Sequence, residues 1–186
     1  MIFNRHSDLQ GKHAFLSPSN YHWLNYTEQK LEARYASYQS ARRGTDLHSL
    51  AHEAIRLGVK LSRANKALST YVNDAIGYKM VCEQSLYYSD NCFGHADTIS
   101  FRRDKLRIHD LKTGIVATSF HQLEVYAAIF FLEYDIDPTS VDVELRIYQR
   151  DEVRVHVPYA ELIMEVMDTI VQFDQQVEAM KASERY

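Results

Sequence analysis

Between residues 80 and 112 apolar and polar side chains alternate with the period of β-strands, and two short polar turns cut this stretch into three segments. Met80–Tyr88 and Cys92–Phe101 flank Ser89-Asp90-Asn91, and Leu106–Lys112 follows the charged turn Arg102–Lys105. Such short turns join antiparallel neighbours, so the sequence predicts a three-stranded meander on which the rest of the chain must pack.

The flanking segments change to helical period. Ser17-Pro18-Ser19 predicts a helix start, with Tyr21, Leu24, Leu31 and Tyr35 near helical spacing and a break near Asn25. A second helix is expected from Gly44-Thr45, with Thr45 as its cap and Leu47, Leu50, Ala51, Ala54 and Leu57 as its apolar stripe before Gly58. A third covers residues 62–78. After the meander, residues 119–134 form an amphipathic helix, and Val141–Gln149 and Val153–Val157 pair across Arg150-Asp151-Glu152. A long helix follows Pro158 and buries Leu162, Ile163, Val166, Met167, Ile170 and Val177. Residues 1–14 lack periodicity and are expected to be a loose arm. The order predicts an α/β or α+β fold in which a mixed central β-sheet is flanked by helices, in a single domain spanning 1–186.

Several function classes drop out on composition. Hydrophobic residues at 46% and charged residues at 25% are ordinary for a folded chain. No apolar run is long enough to span a membrane and Met1–Lys12 lacks a secretory pattern, so no membrane partner and a cytoplasmic location are expected. Two cysteines, Cys82 and Cys92, are too few for a zinc ribbon or a four-cysteine cluster and read as reduced thiols. A net charge of -4 argues against a protein that coats nucleic acid, yet local basic clusters such as Arg42-Arg43 and Arg102-Arg103 can hold phosphates.

Candidate chemistry collects at the end of the meander. Asp110-Leu111-Lys112 sets a carboxylate and an ammonium on one strand face, about 7 Å apart along the backbone, with Leu111 on the other. Leu106 and Ile108 share the Asp110 face, so an aliphatic surface runs into charges that need partners. The preceding strand carries Gly94-His95-Ala96-Asp97, and the short turn brings Asp97 towards Asp110. Two converging carboxylates repel unless protonated or bridged by a hard cation. His48 lies one helical turn after Thr45, with His52 on the same face, and Gln122 and Tyr126 are one turn apart. Each also has a plainer reading. Asp-x-Lys can be an ion pair at a strand end, Asp97 a turn acid, His48, His52 and Glu53 surface residues, Gln122 part of a capping box with Ser119, and Tyr126 a core residue.

Taken in order, Leu-Ser-Pro-Ser at 16–19, Gly-Thr-x-Leu-His at 44–48, Gly-His-Ala-Asp at 94–97, Asp-Leu-Lys-Thr-Gly at 110–114 and Gln-x-x-x-Tyr at 122–126 resemble the RecB-type branch of the PD-(D/E)XK nuclease superfamily, including CRISPR-associated adaptation exonucleases and phage-encoded relatives. The resemblance implies a restriction-endonuclease-like core and a DNA nuclease, specifically an exonuclease acting on DNA ends in phage or bacterial recombination, repair or processing. It implies that His48, Asp97, Asp110 and the backbone carbonyl of Leu111 bind Mg2+ or Mn2+. Asp97, Asp110 and Lys112 would be catalytic, with Lys112 positioning or helping to activate the attacking water. Gln122 and Tyr126 would support the active site or DNA. Many such proteins carry a cysteine soon after the Leu-Ser-x-Ser segment, whereas this chain reads Trp23-Leu24-Asn25-Tyr26, so no iron-sulfur cluster is expected. No Gly-x-x-x-x-Gly-Lys motif is present, so ATP-driven unwinding would need a partner. DNA is the implied partner, with a single-strand annealing protein, a helicase or further copies in a homo-oligomer as additional candidates. For a phage-encoded chain the compartment would be the bacterial host cytoplasm. The competing expectation is a catalytically silent nucleic-acid-binding or anti-defence protein that keeps the fold.

Overall fold

The three segments of the meander and the later strand pair join in one five-stranded sheet. In the computed structural model, residues 14–62, 66–114 and 116–183 are described. The expected arm at 1–14 therefore lies outside them, apart from Ala14. By its internal contacts the chain divides into two compact units, Met1–Thr45 and Asp46–Tyr186.

The first unit holds a 3-10 helix at Pro18–Asn25 and the first part of helix α1, Glu28–Leu57. Two expectations are corrected here. The segment after Ser17 winds as a 3-10 rather than an α-helix, with Pro18 at its start. The helix expected to open at Gly44 is instead the continuation of α1. Thr45 is not its cap, because its hydroxyl donates to the Ala41 carbonyl one turn back. An isolated glycine costs a helix only about 1 kcal/mol relative to alanine, too little to break a long one at Gly44.

The second unit contains the rest of α1, then α2 (Lys66–Tyr78), β1 (Val81–Ser89), β2 (Cys92–Arg102), β3 (Lys105–Lys112), α3 (His121–Tyr134), β4 (Asp142–Gln149), β5 (Glu152–His156) and α4 (Ala160–Ser183). The end of α1 was legible from Gly58. That residue takes φ +68, and the Val59 and Gly58 amides donate to the carbonyls of Ala54 and Ile55, closing the helix in a Schellman turn.

The strands lie in the order β1-β2-β3-β4-β5. β1–β2, β2–β3 and β4–β5 are antiparallel, as their short turns require, while β3 and β4 are parallel. The parallel pair follows from the connection through α3, since parallel neighbours need a crossover. The architecture is α+β, a mixed sheet flanked by helices.

Alternation along β3 divides the core. Leu106 and Ile108 enter a cluster with Leu123, Ala127 and Phe131 of α3 and Ile163 of α4. Leu111 joins Ala51, Ala54 and Ile55 of α1 and Leu68, Tyr71 and Val72 of α2. Full burial of a Leu, Ile or Phe side chain contributes about 1.5–3 kcal/mol, so these clusters hold helices against both faces. Cys82 packs beside the second cluster and Cys92 beside the first, and both are free thiols. No described helix is long and apolar enough to cross a membrane.

A polar network ties β4 to α2. The Tyr148 hydroxyl donates to Asp74 at 2.8 Å, and Arg146 reaches the same carboxylate at 3.0 Å. His109 lies 3.2 Å from the Tyr148 hydroxyl, and burial, helped by Arg146, pushes its pKa down to about 3. The fold thus holds His109 neutral, and protonation favours the unfolded chain. Stability is expected to fall as pH drops from 6.5 towards about 3, by up to about 1.4 kcal/mol per pH unit for this one proton. Urea unfolding of wild type and His109→Gln at several pH values between 6.5 and 5 checks this, the variant being expected to show the flatter slope.

Candidate active site

The site is built where β2 and β3 separate beyond their last paired residues. Thr98 lies opposite His109, so Asp97 and Asp110 are the next residues outward. The Asp97 carboxylate accepts a 3.2 Å hydrogen bond from the backbone amide of Leu111. One oxygen of that carboxylate is also 3.4 Å from Nδ1 of His48, which α1 presents. Asp97 is thereby held between a strand amide and a helix imidazole.

Asp110 is more deeply set, its side chain only 5% exposed. One oxygen lies 2.9 Å from the Lys112 ammonium, while Oδ2 is buried without a hydrogen-bond partner. Burial pushes the Asp110 pKa up, and the nearby Asp97 charge adds to this. Lys112 and His48 oppose it. A buried carboxylate beside a second one, with an oxygen unsatisfied, is a costly arrangement in a stable fold and a useful one for a cation.

Lys112 links the strand pair to α3. Its ammonium donates to Gln122 Oε1 at 2.9 Å, and the Gln122 amide donates to the Tyr126 hydroxyl at 3.3 Å. Gln122 therefore serves Lys112 rather than a capping box. The residue capping α3 is Phe120, with no side-chain cap bond. A cleft of about 140 Å³ opens beside Lys112, with Leu47, Leu111, Thr113 and Arg150 among its walls. Two chains of contacts, His48–Asp97–Leu111 amide and Asp110–Lys112–Gln122–Tyr126, thus meet at the backbone of Leu111.

Gly94 explains how α3 comes so close. A Cβ at this position would stand 2.8 Å from Cε1 of Tyr126, so any side chain there displaces the ring. Gly94→Ala is expected to destabilise the fold by about 1–3 kcal/mol through overpacking. In a Tyr126→Ala background the same substitution should cost almost nothing, a non-additivity that denaturant unfolding of the four proteins measures.

Sequence reasoning missed Glu83. It sits in β1 between the Cys82–Thr98 and Gln84–Ala96 pairs with φ +50, the left-handed region that non-glycine residues enter at a cost of about 1–3 kcal/mol. Its carboxylate meets Nδ1 of His52 at 3.0 Å, and the His52 ring packs edge-on to His48 at 6.0 Å. The pattern of alternation along β1 carries no sign of this kink. Glu53, considered beside His52, makes only an exposed ion pair with Arg56. Tyr71, fully buried, also feels the site: burial and the Asp97 charge push its phenol above the usual range.

A divalent cation fits part of this donor set. Among the described residues no three His, Cys, Asp or Glu side chains gather into a metal-binding group. Mg2+, however, commonly takes one or two protein carboxylates and keeps waters and substrate oxygens in its remaining positions. Asp97 and the unsatisfied oxygen of Asp110 meet that smaller demand. No protein-family model matches the chain, and no curated protein matches it significantly.

Proposed function

We propose that the chain is a divalent-metal-dependent deoxyribonuclease with a restriction-endonuclease-like core of the RecB-type PD-(D/E)XK kind. The observation that carries this reading is the buried, unpartnered oxygen of Asp110 beside Asp97, with the Lys112 ammonium on the other oxygen of the same carboxylate. Here one oxygen is neutralised by Lys112 and the other is kept free at the cost of a raised pKa.

In this reading Asp97, Asp110 and the Leu111 carbonyl would hold Mg2+ or Mn2+, with His48 as a further ligand. The ion would polarise a phosphoryl oxygen and lower the pKa of a water. Asp110 would offer its unpartnered oxygen to the ion, and Lys112 would present a cation to the charge that develops on the phosphate. Gln122 fixes the ammonium and Tyr126 fixes Gln122, so the lysine loses little freedom when substrate arrives. His48 and the Leu111 amide orient Asp97. DNA ends are the proposed substrate, in phage or bacterial recombination, repair or processing within the cytoplasm. No iron-sulfur cluster is involved. A single-strand annealing protein or a helicase would supply or unwind the end, and a homo-oligomer would enclose it.

The second reading is a catalytically silent nucleic-acid-binding or anti-defence protein. Incubation with linear duplex, single-stranded and covalently closed circular DNA in Mn2+ separates the two. The enzyme degrades linear DNA and spares the closed circle, and EDTA stops it. A silent protein binds without cleaving, and degradation of the closed circle would make the enzyme an endonuclease.

A further inference from the structure

The first compact unit carries an open cleft of about 800 Å³ with a character unlike that of the metal-centre candidate. Its walls include Trp23 and Tyr26 on one side and Lys30, Arg34 and Tyr38 along one stripe of α1. Lys30, Arg34 and Tyr38 recur at one helical turn along α1, so two cations and a ring follow one another along a line with a rise of about 6 Å per step, and Tyr26 stands in extended backbone just before the helix. The lining residues include no carboxylate. Among the described residues neither Lys30 nor Arg34 forms an ion pair, and the Lys30 ammonium lies over the Tyr26 ring, 4.8 Å from its centre. Over residues 14–45 there are four Lys and Arg against two Glu, in a chain whose net charge is -4.

We propose that this cleft binds single-stranded nucleic acid. Lys30 and Arg34 receive successive phosphates, and bases stack on Trp23, Tyr26 and Tyr38. Each feature serves that ligand. Cations one turn apart and without an ion-pair partner among the described residues suit a polyanion with a regular charge repeat, and the flat rings flanking them offer stacking surfaces that accept any base. A duplex hides its base faces and gains only the phosphate contacts. Trp23 is half-buried, its indole N–H held by the Ser17 carbonyl at 3.0 Å, so one face stays fixed for stacking. The proposal goes beyond the nuclease reading, concerns different residues and requires no metal.

Trp23 is the only tryptophan in the chain, which makes its fluorescence a local reporter. The full chain is titrated in EDTA with an oligothymidylate, the matching duplex and polyglutamate, so that cleavage plays no part and failure of the nuclease reading leaves this result untouched. The oligothymidylate is expected to quench Trp23 saturably and at lower concentration than the duplex. The exposed double substitution Lys30→Ala/Arg34→Ala should weaken binding about tenfold or more and reduce the slope of log K against log salt by about 1.4. Tyr38→Ala should weaken it about fivefold or more while leaving that slope unchanged. Absence of saturable quenching overturns the proposal. Equal quenching by polyglutamate overturns it in favour of an acidic protein partner, and a protein-concentration-dependent Trp23 shift without oligonucleotide overturns it in favour of a second copy of the chain.

Discussion

Asp110→Asn is expected to abolish DNA cleavage, by a factor of about a thousand or more, while raising the melting temperature of the metal-free protein. The two effects share one cause. Burial and the Asp97 charge raise the Asp110 pKa in the folded chain, so its contribution to stability is fully present below the unfolded pKa and is lost as pH rises through the folded value. At neutral pH the ionised carboxylate is therefore a burden on the fold. Asparagine keeps the shape and removes the charge. Removing the charge from a buried carboxylate that its surroundings disfavour is expected to raise the melting temperature at neutral pH. Cleavage fails because a neutral amide is a poor ligand for a hard cation. Thermal unfolding followed upward from below pH 4 tests the linkage, with the difference between variant and wild type growing as pH rises above the ordinary carboxylate range and levelling off once Asp110 is ionised in the folded chain. A variant that loses stability at pH 8 would mean that Asp110 is held by an ion pair that serves the fold.

Lys112→Ala should reduce the chemical step by about a hundredfold or more, the usual loss when one preorganised stabilising group is removed. Metal affinity should change much less, because the ammonium does not ligate the ion. The substitution also removes the cation that lowers the Asp110 pKa, so the acid limb of the pH–rate profile is expected to move to higher pH. Single-turnover cleavage at saturating Mn2+ isolates the chemical step from binding. If metal binding and cleavage fall in parallel, Lys112 is a positioning residue for the two carboxylates.

The second unit was legible because its determinants are local. Short polar turns fixed the antiparallel pairs, and the alternation of Leu106, Ile108 and Asp110 against Leu111 told which side chains share a face of β3. Lys112, Gln122 and Tyr126 were likewise close to their partners in the chain or on consecutive elements, whereas His48 reaches Asp97 from a helix that α2 and β1 separate from β2. Local signals misled where tertiary packing outweighed them. Gly44-Thr45 looked like a helix start, but the flanking residues are strong enough helix formers to carry α1 through it. Ser119 to Gln122 looked like a capping box, but Lys112, ten residues before Gln122, takes its side-chain oxygen. Glu83 was invisible for a different reason. Its role depends on a left-handed backbone in mid-strand, and no propensity points a glutamate there.

Whether Asp97 and Asp110 hold a divalent ion used for DNA cleavage is decided by titrating Mn2+ into wild type and Asp110→Asn by calorimetry and assaying cleavage of linear DNA by the same samples. Saturable binding to wild type, its loss in the variant, and a wild-type cleavage rate that follows site occupancy are expected. Equal Mn2+ binding by the two proteins, or cleavage by Asp110→Asn at the wild-type rate, would contradict that assignment.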